Sequence, residues 1–285
     1  MWFFTMEHSG RIRSKLTAGV ANVDEFPFDL LNHEHRRIME AANQNKVAMR
    51  LLGALAFELR CPSQAALRQA LGRTLSDLDY TALSKQWEQV INVLTGLGYE
   101  FDERRAMLHG LDRVIFFHPD GLRVDVFFDR LDMCHTVDFR DRILLDAETI
   151  TLADLFLEKM QIVRITQKDI IDTIVLFIAH PVTDTEEGIN AAYIAKRMSS
   201  DWGFYYTSTT NLKRVRDEFL DQCTLIPEAD RRLARGRMDE MLNRIETVPK
   251  SLQWKLRAQI GTRAKWYKDV GELERKPEEG HDQSK

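Results

Sequence analysis

Asp77 and Asp79 stand two residues apart in the run Ser76-Asp77-Leu78-Asp79-Tyr80, and a third acid, Asp125, sits in Leu122-Arg123-Val124-Asp125-Val126-Phe127-Phe128. On an extended strand alternate side chains share a face, so Asp77 and Asp79 project together while Leu78 points away. In the second run Leu122, Val124, Val126 and Phe128 form one face. Arg123, Asp125, Phe127 and Asp129 form the other, which sets Asp125 away from the main core and within reach of ions and water. Carboxylates gathered on one sheet face repel one another unless cations lie among them. Such oxygen ligands suit Mg²⁺, which keeps some of its waters and takes its remaining ligands from substrate phosphates. Two such ions can align the attacking and departing oxygens of a phosphoryl transfer. Acid-x-acid pairs also occur as solvated residues at strand ends, so the pair by itself is unspecific.

Other chemistry is thinner. His109, His118 and His135 are scattered, and Cys134-His135 is no nucleophile pair because adjacent residues rarely face each other. Gly-rich phosphate loops of the Walker type, Gly-x-Ser-x-Gly elbows and kinase motifs are missing. Cys61, Cys134 and Cys223 are odd in number and far apart, a pattern of neither disulfides nor zinc, for which a reducing cytoplasm is the expected setting.

The elements that must carry the acids are readable. Residues 1–30 lack sustained periodicity and read as an N-terminal arm; from Asn32 to about Lys46 the pattern is helical. Arg50 to Phe57 is a short apolar strand running through Gly53 into a small-residue helix, and Ser63 is placed to cap the next helix, which ends near Gly72. Lys85 to Leu97 is amphipathic, with Trp87, Val90, Ile91, Leu94 and Leu97 at three- and four-residue spacing. Val114-Ile115-Phe116-Phe117 and the Leu122–Phe128 run flank His118-Pro119-Asp120-Gly121 and predict a hairpin. Thr151 to Asp154 and Thr166 to Asp169 match the capping box with Asp for Glu, so helices start near 152 and 167, the second ending near His180-Pro181. Beyond Thr183 the readable pattern is helical, and the polar stretch from about Gly271 reads as a disordered tail.

The expected organisation is thus an arm (1–30), a domain at 31–182, a helical region at 183–270 and a tail at 271–285. With 285 residues, 44% hydrophobic, 29% charged and a net charge of -4, the chain is an ordinary globular protein rather than a basic nucleic-acid coat. The apolar start Met1 to Met6 ends at Glu7, too short for a secretory segment, and no run approaches a membrane span.

Taken in order, Leu51-Leu52-Gly53-Ala54-Leu55-Ala56, then Arg73-Thr74-Leu75-Ser76-Asp77-Leu78-Asp79, then Val124-Asp125-Val126 resemble the nucleotidyltransferase superfamily of polymerase-beta type. Leu152 to Gln161 together with Lys168-Asp169-Ile170-Ile171-Asp172 are similar to the AbiEii-type nucleotidyltransferases, several of which are toxins of toxin–antitoxin pairs; the likeness covers roughly 35–182. It implies an α/β (α+β) fold, a short mixed sheet flanked by helices and followed by a helical C-terminal region. It further implies an enzyme that moves a nucleoside monophosphate from an NTP to an acceptor hydroxyl on RNA or protein, with an antitoxin as partner and no membrane. Asp77 and Asp79 would bind Mg²⁺ or Mn²⁺, Asp125 would be the third carboxylate or the base, and Gly53 and Ala54 would lie against the triphosphate. Lys159 or Lys168 would neutralise phosphate, and Asp169 and Asp172 match a late acidic motif, although Asp169 also suits a helix cap. Gly53-Ala54 departs from the family's glycine pair or Gly-Ser, and the gap to Asp77 is long; both leave room for a non-catalytic binding or regulatory protein on the same fold.

Between Lys250 and Lys268 stand Lys250, Lys255, Arg257, Arg263, Lys265 and Lys268 with no acid, interleaved with Trp254, Trp266 and Tyr267. Such a segment is either a helix with its aromatics in the core and lysines in water, or a surface that tracks a nucleic-acid backbone.

Overall fold

The computed structural model describes residues 25–101 and 112–270. Helix α1 (Phe28–Gln44) starts after Pro27 and buries Leu31, His35, Ile38, Met39 and Ala42, the stripe a helix lays on a sheet. β1 (Met49–Leu52) runs into α2 (Gly53–Arg60), and the chain changes direction at Gly53, whose φ of +73° few residues but glycine adopt. A 3₁₀ turn at Pro62–Gln64 leads to α3 (Ala65–Ala70); Ser63 lies inside that turn rather than capping the helix, because Pro62 has already started it. Next come β2 (Leu78–Ala82), α4 (Trp87–Gly96), β3 (Glu100–Phe101), β4 (Arg113–Phe117), β5 (Arg123–Phe128) and the small pair β6 (Arg130–Asp132) and β7 (Thr136–Asp138).

Five strands form one mixed sheet in the order β1-β2-β5-β4-β3, with β2 and β5 parallel and the other neighbours antiparallel. The fold is therefore mixed α/β. Register sorts the faces. Leu51, Tyr80, Val126 and Val114 lie opposite one another across four strands and are fully buried. On that face α1 places His35 Nδ1 3.0 Å from the Tyr80 hydroxyl. The next row, Leu52, Asp79, Asp125 and Ile115, points to the other side.

α5 (Leu152–Met160) is capped by Thr151, which accepts from the Asp154 amide; α6 (Gln167–Ala179) carries the full reciprocal box between Thr166 and Asp169. The chain continues through α7 (Ala191–Met198), α8 (Trp202–Arg214), α9 (Glu228–Thr247) and α10 (Leu252–Ile260). β8 (Val182–Thr183) and β9 (Ile189–Asn190) make a two-residue parallel ladder in a stretch expected to be helical; two residues carry no period to read. One hydrophobic cluster runs from Leu31 to Ile245, without a break at residue 182. His109, most of the N-terminal arm and the tail at 271–285 lie outside the described residues. Among the described residues no helix is long and apolar enough to cross a membrane.

Burial holds three histidines below their ordinary pKa: His35, where Glu148 offsets part of the effect, His180, and His135, which falls to about 4. His135 stacks on Phe204 with ring centroids 5.0 Å apart. The unfolded chain takes up these protons near pH 6.5 and the folded chain only at lower pH, so stability present above that value is lost as pH falls towards 4. For His135 alone the window is worth roughly 3 kcal/mol. Thermal melts between neutral and acid pH should show this loss, and His135→Asn, though weaker at neutral pH, should lose less across the same interval. Parallel profiles for the two proteins would contradict it.

Candidate active site

Asp79 and Asp125 are direct partners across the parallel strands β2 and β5, so the backbone alone sets their side chains next to each other. Asp77 precedes β2 and joins them: Arg123 donates to its Oδ2 at 2.7 Å, and the same guanidinium lies 3.4 Å from Asp125 Oδ1. Arg113 holds the other Asp125 oxygen. The expectation that Asp125 faces solvent is corrected here, because Asp125 is fully buried and the two arginines close over it.

Gly53 is pressed against Asp79: a Cβ at that position would overlap the Asp79 carboxylate, and φ is positive there as well. No hydrogen-bond donor among the described residues reaches Asp79. Burial, then Asp77, Asp125 and Glu158, push its carboxyl well above the usual carboxylate range. Asp125 is also raised by burial, against the pull of Arg113 and Arg123. The cluster thus stores like charge that its arginines only partly cancel.

Glu158, on α5, was not singled out from sequence. Its Oε2 accepts from the Gly53 amide at 3.0 Å, and its Oε1 lies 3.0 Å from Lys159 Nζ. Lys159 was expected to meet phosphate, but its ammonium is committed to carboxylates, with Asp172 at 3.3 Å and Asp169 at 3.5 Å besides Glu158. Burial would strip that proton, and Glu158, Asp172 and Asp169 outweigh it, so the amine is held charged. Asp172, fully buried, receives Arg73 in a two-point fork at 2.9 and 2.8 Å and Arg68 at 3.1 Å. Burial acts to raise its carboxyl, but Lys159, Arg73 and Arg68 hold it below the ordinary value. Arg68 reaches on to Glu58 at 2.6 Å and to the Ala54 carbonyl at 3.2 Å.

The structure therefore brings Asp77, Asp79, Asp125 and Gly53 into one cluster and joins Lys159, Asp169 and Asp172 to it through Glu158. Asp169 does cap its helix, and it touches Lys159 as well. Lys168 is exposed and outside both groups, and Ala54 contributes its carbonyl rather than a side chain. Arg68, Arg73, Arg113 and Arg123 were missed. Arg123 alone had a sequence signal, being two residues from Asp125 and on its face.

Three acids do converge, but around guanidinium groups: among the described residues no three His, Cys, Asp or Glu side chains are grouped so as to hold a metal ion. The donors nevertheless fit one. Among the described residues Asp125 Oδ1 is buried without a hydrogen bond and Asp79 has no donor, and the absence of a side chain at Gly53 gives the Asp79 carboxylate its place. Mg²⁺ or Mn²⁺ needs one or two carboxylates here, with phosphate and water oxygens completing its shell.

Comparison of the chain with models of protein families, with characterised proteins and with solved structures gives no match.

Two tests follow from the geometry. Asp172→Ala leaves Arg68, Arg73 and Lys159 buried without their shared acid and should cost about 3–5 kcal/mol in chemical denaturation; a loss under 1 kcal/mol would mean the network is dispensable. Arg123→Ala removes the cation that competes for Asp77 and Asp125, so Mn²⁺ affinity of the nucleotide-free protein, read by calorimetry, should rise severalfold. Unchanged or weaker binding would count against competition.

Proposed function

We propose that this chain is a metal-dependent nucleotidyltransferase that joins a nucleoside monophosphate from an NTP to an acceptor hydroxyl and releases pyrophosphate. The observation that carries the reading is the pairing of Asp79 with Asp125 on parallel strands, with Gly53 packed against Asp79 at the strand-to-helix turn. The order of the chain supports it too: glycine turn, acid-x-acid, later acid, then a helix pair carrying Glu158-Lys159 and Asp169 to Asp172.

Mg²⁺ or Mn²⁺ supplies positive charge at the triphosphate and at the attacking oxygen when it is bound. Asp79 and Asp77 would hold it, and Asp125 would serve the acceptor hydroxyl. The acceptor oxygen forms a bond to the α-phosphorus while the bond from that phosphorus to the β-phosphate bridging oxygen breaks; the electron pair leaves with pyrophosphate. The acceptor proton passes to Asp125, whose burial makes it a better base than an ordinary aspartate. Arg123, partly exposed and on the same face, would turn from Asp77 towards phosphate oxygens. Gly53 lets the backbone approach the nucleotide, and Lys159 keeps Glu158 in place. An RNA or protein hydroxyl serves as acceptor, and the toxin-like resemblance adds an antitoxin as partner.

A second reading has an observation of its own. The Gly53 amide already donates to Glu158, and arginines sit where metal would, an arrangement that suits a regulatory protein using the fold for binding alone. Calorimetry with Mg²⁺ and each NTP separates the two.

Asp79→Asn is the sharpest test. It should lower transfer of labelled nucleotide by about 100-fold or more. Because the native carboxyl is raised, its ionised form destabilises the fold above the ordinary aspartate pKa, and the amide removes that cost. The variant should therefore melt at or above the native temperature. Transfer at the native rate would remove the assignment.

A further inference from the structure

Away from the carboxylates, α8 and α10 enclose an open cavity of about 730 Å³ with the β6–β7 loop and the segment that follows α10. The segment is firmly seated. The Lys268 amide donates to the Cys134 carbonyl at 3.0 Å, Trp266 Nε1 donates to Thr207 Oγ1 at 3.0 Å, and Gly203 gives the room that the Trp266 carbonyl occupies. The cavity is a built feature of the fold rather than a gap beside a loose end.

Its chemistry is one-sided. Among the described residues that line it, Arg197, Arg257, Lys265 and Lys268 stand against one acid, Asp201, whose carboxylate is used to cap α8. Lys265 pairs with Asp269, and Lys268 with Asp132 at 2.6 Å, but these lysines are more than half exposed, and such pairs exchange readily for another anion. His135 adds no charge at neutral pH, since burial lowers it to about 4. Between the cations are rings: Trp202, Trp254, Trp266 and Tyr267 line the cavity, the last three only partly buried. Leu256 and Ile260 supply an aliphatic wall. Among the described residues the buried Trp254 indole N–H has no acceptor. α10 buries none of its residues fully, and Trp254, Trp266 and Tyr267 are all only partly buried, which departs from the reading that places the aromatics of 250–268 in the core.

A ligand that suits all of this is anionic, has flat faces and offers acceptors along its length. We infer that the groove binds single-stranded nucleic acid, with phosphates on the lysines and arginines and bases against the Trp254, Trp266 and Tyr267 rings. Stacking on aromatic side chains beside a cationic track is the common means of holding a strand without reading its sequence. An acidic peptide would meet the charge but leave the ring faces unused. A duplex keeps its bases stacked on one another and cannot offer them. The site goes beyond the transfer reaction: its lining shares no residue with the carboxylate cluster, and it stands or falls without any metal.

The test uses the full chain and a fluorescent oligonucleotide of about 12 residues with no self-pairing, as RNA and as DNA, with the duplex of each and an acidic peptide of matching charge as further arms. Anisotropy should show both single strands binding, RNA and DNA distinguished by their relative affinity, the duplex and peptide at least about tenfold weaker. Affinity should fall steeply between about 50 and about 200 mM salt. Lys265→Glu with Lys268→Glu should weaken binding at least about tenfold, and Trp254→Leu should weaken it with the salt slope unchanged. Lys213→Glu, an exposed charge reversal outside the groove, should have little effect. Asp79→Asn should bind strands as the native chain does, so a failure of the transfer reading leaves this result intact. Absence of binding, equal losses for the Lys213 control and the lysine pair, or peptide and strand binding alike would overturn the assignment.

Discussion

Asp79 and Asp125 are fixed side by side by strand pairing. Neighbouring strands lie roughly 4.8 Å apart, and no side-chain rotation takes two aligned acids out of each other's field. In a buried setting such a pair needs positive charge or a proton. Among the described residues, cations from the same hairpin, Arg113 on β4 and Arg123 on β5, reach Asp125 and Asp77, and none donates to Asp79. Much of what surrounds the cluster follows from that imbalance. Gly53 must lack a side chain because Asp79 stands where its Cβ would be.

Behind this cluster lies a chain of ionic contacts that sets its geometry. Asp172 on α6 anchors Lys159 on α5; Lys159 anchors Glu158; Glu158 accepts from the Gly53 amide, and Gly53 touches Asp79. A buried ion pair gives little net stability compared with an apolar pair of the same shape, because both charges lose their water. What it does give is position. Each member has few alternative partners in a dry interior, so the strand-to-helix turn at Gly53 is held from α6 without any side chain at residue 53.

Much of this was open to sequence reasoning and some was not, for physical reasons. The hairpin, the glycine turn and both Thr caps were legible because local residue types decide them. The shared face of Asp79 and Asp125 followed from two-residue alternation once both segments were read as strands. The burial of Asp125 was not legible: alternation gives the face but not what covers it, and here the covering atoms are two guanidinium groups. Lys159 was misplaced for a related reason. A lysine near an acidic motif reads as a phosphate ligand, whereas its neighbours along the helix faces, Glu158, Asp169 and Asp172, claim it in three dimensions. Glu158, Arg68 and Arg73 act across separations of about a hundred residues, which no local pattern encodes.

The basic aromatic segment shows how a chain of net charge -4 can still carry a cationic surface, because charge acts locally and is screened within about 10 Å. One hydroxyl helps to place it. Trp266 Nε1 can only donate, so Thr207 accepts from it and has its own hydrogen to offer His135 Nε2, 2.9 Å away. Burial lowers His135 to about 4, so at neutral pH the ring is uncharged and Nε2 is able to take that hydrogen. The ring stacked on Phe204 therefore ties the β6–β7 loop to α8, and α8 to the segment after α10. A proton on His135 would reverse that bond: Thr207 would accept from both rings through its two lone pairs, its own hydrogen would lose this acceptor, and a charge would enter the wall of the groove.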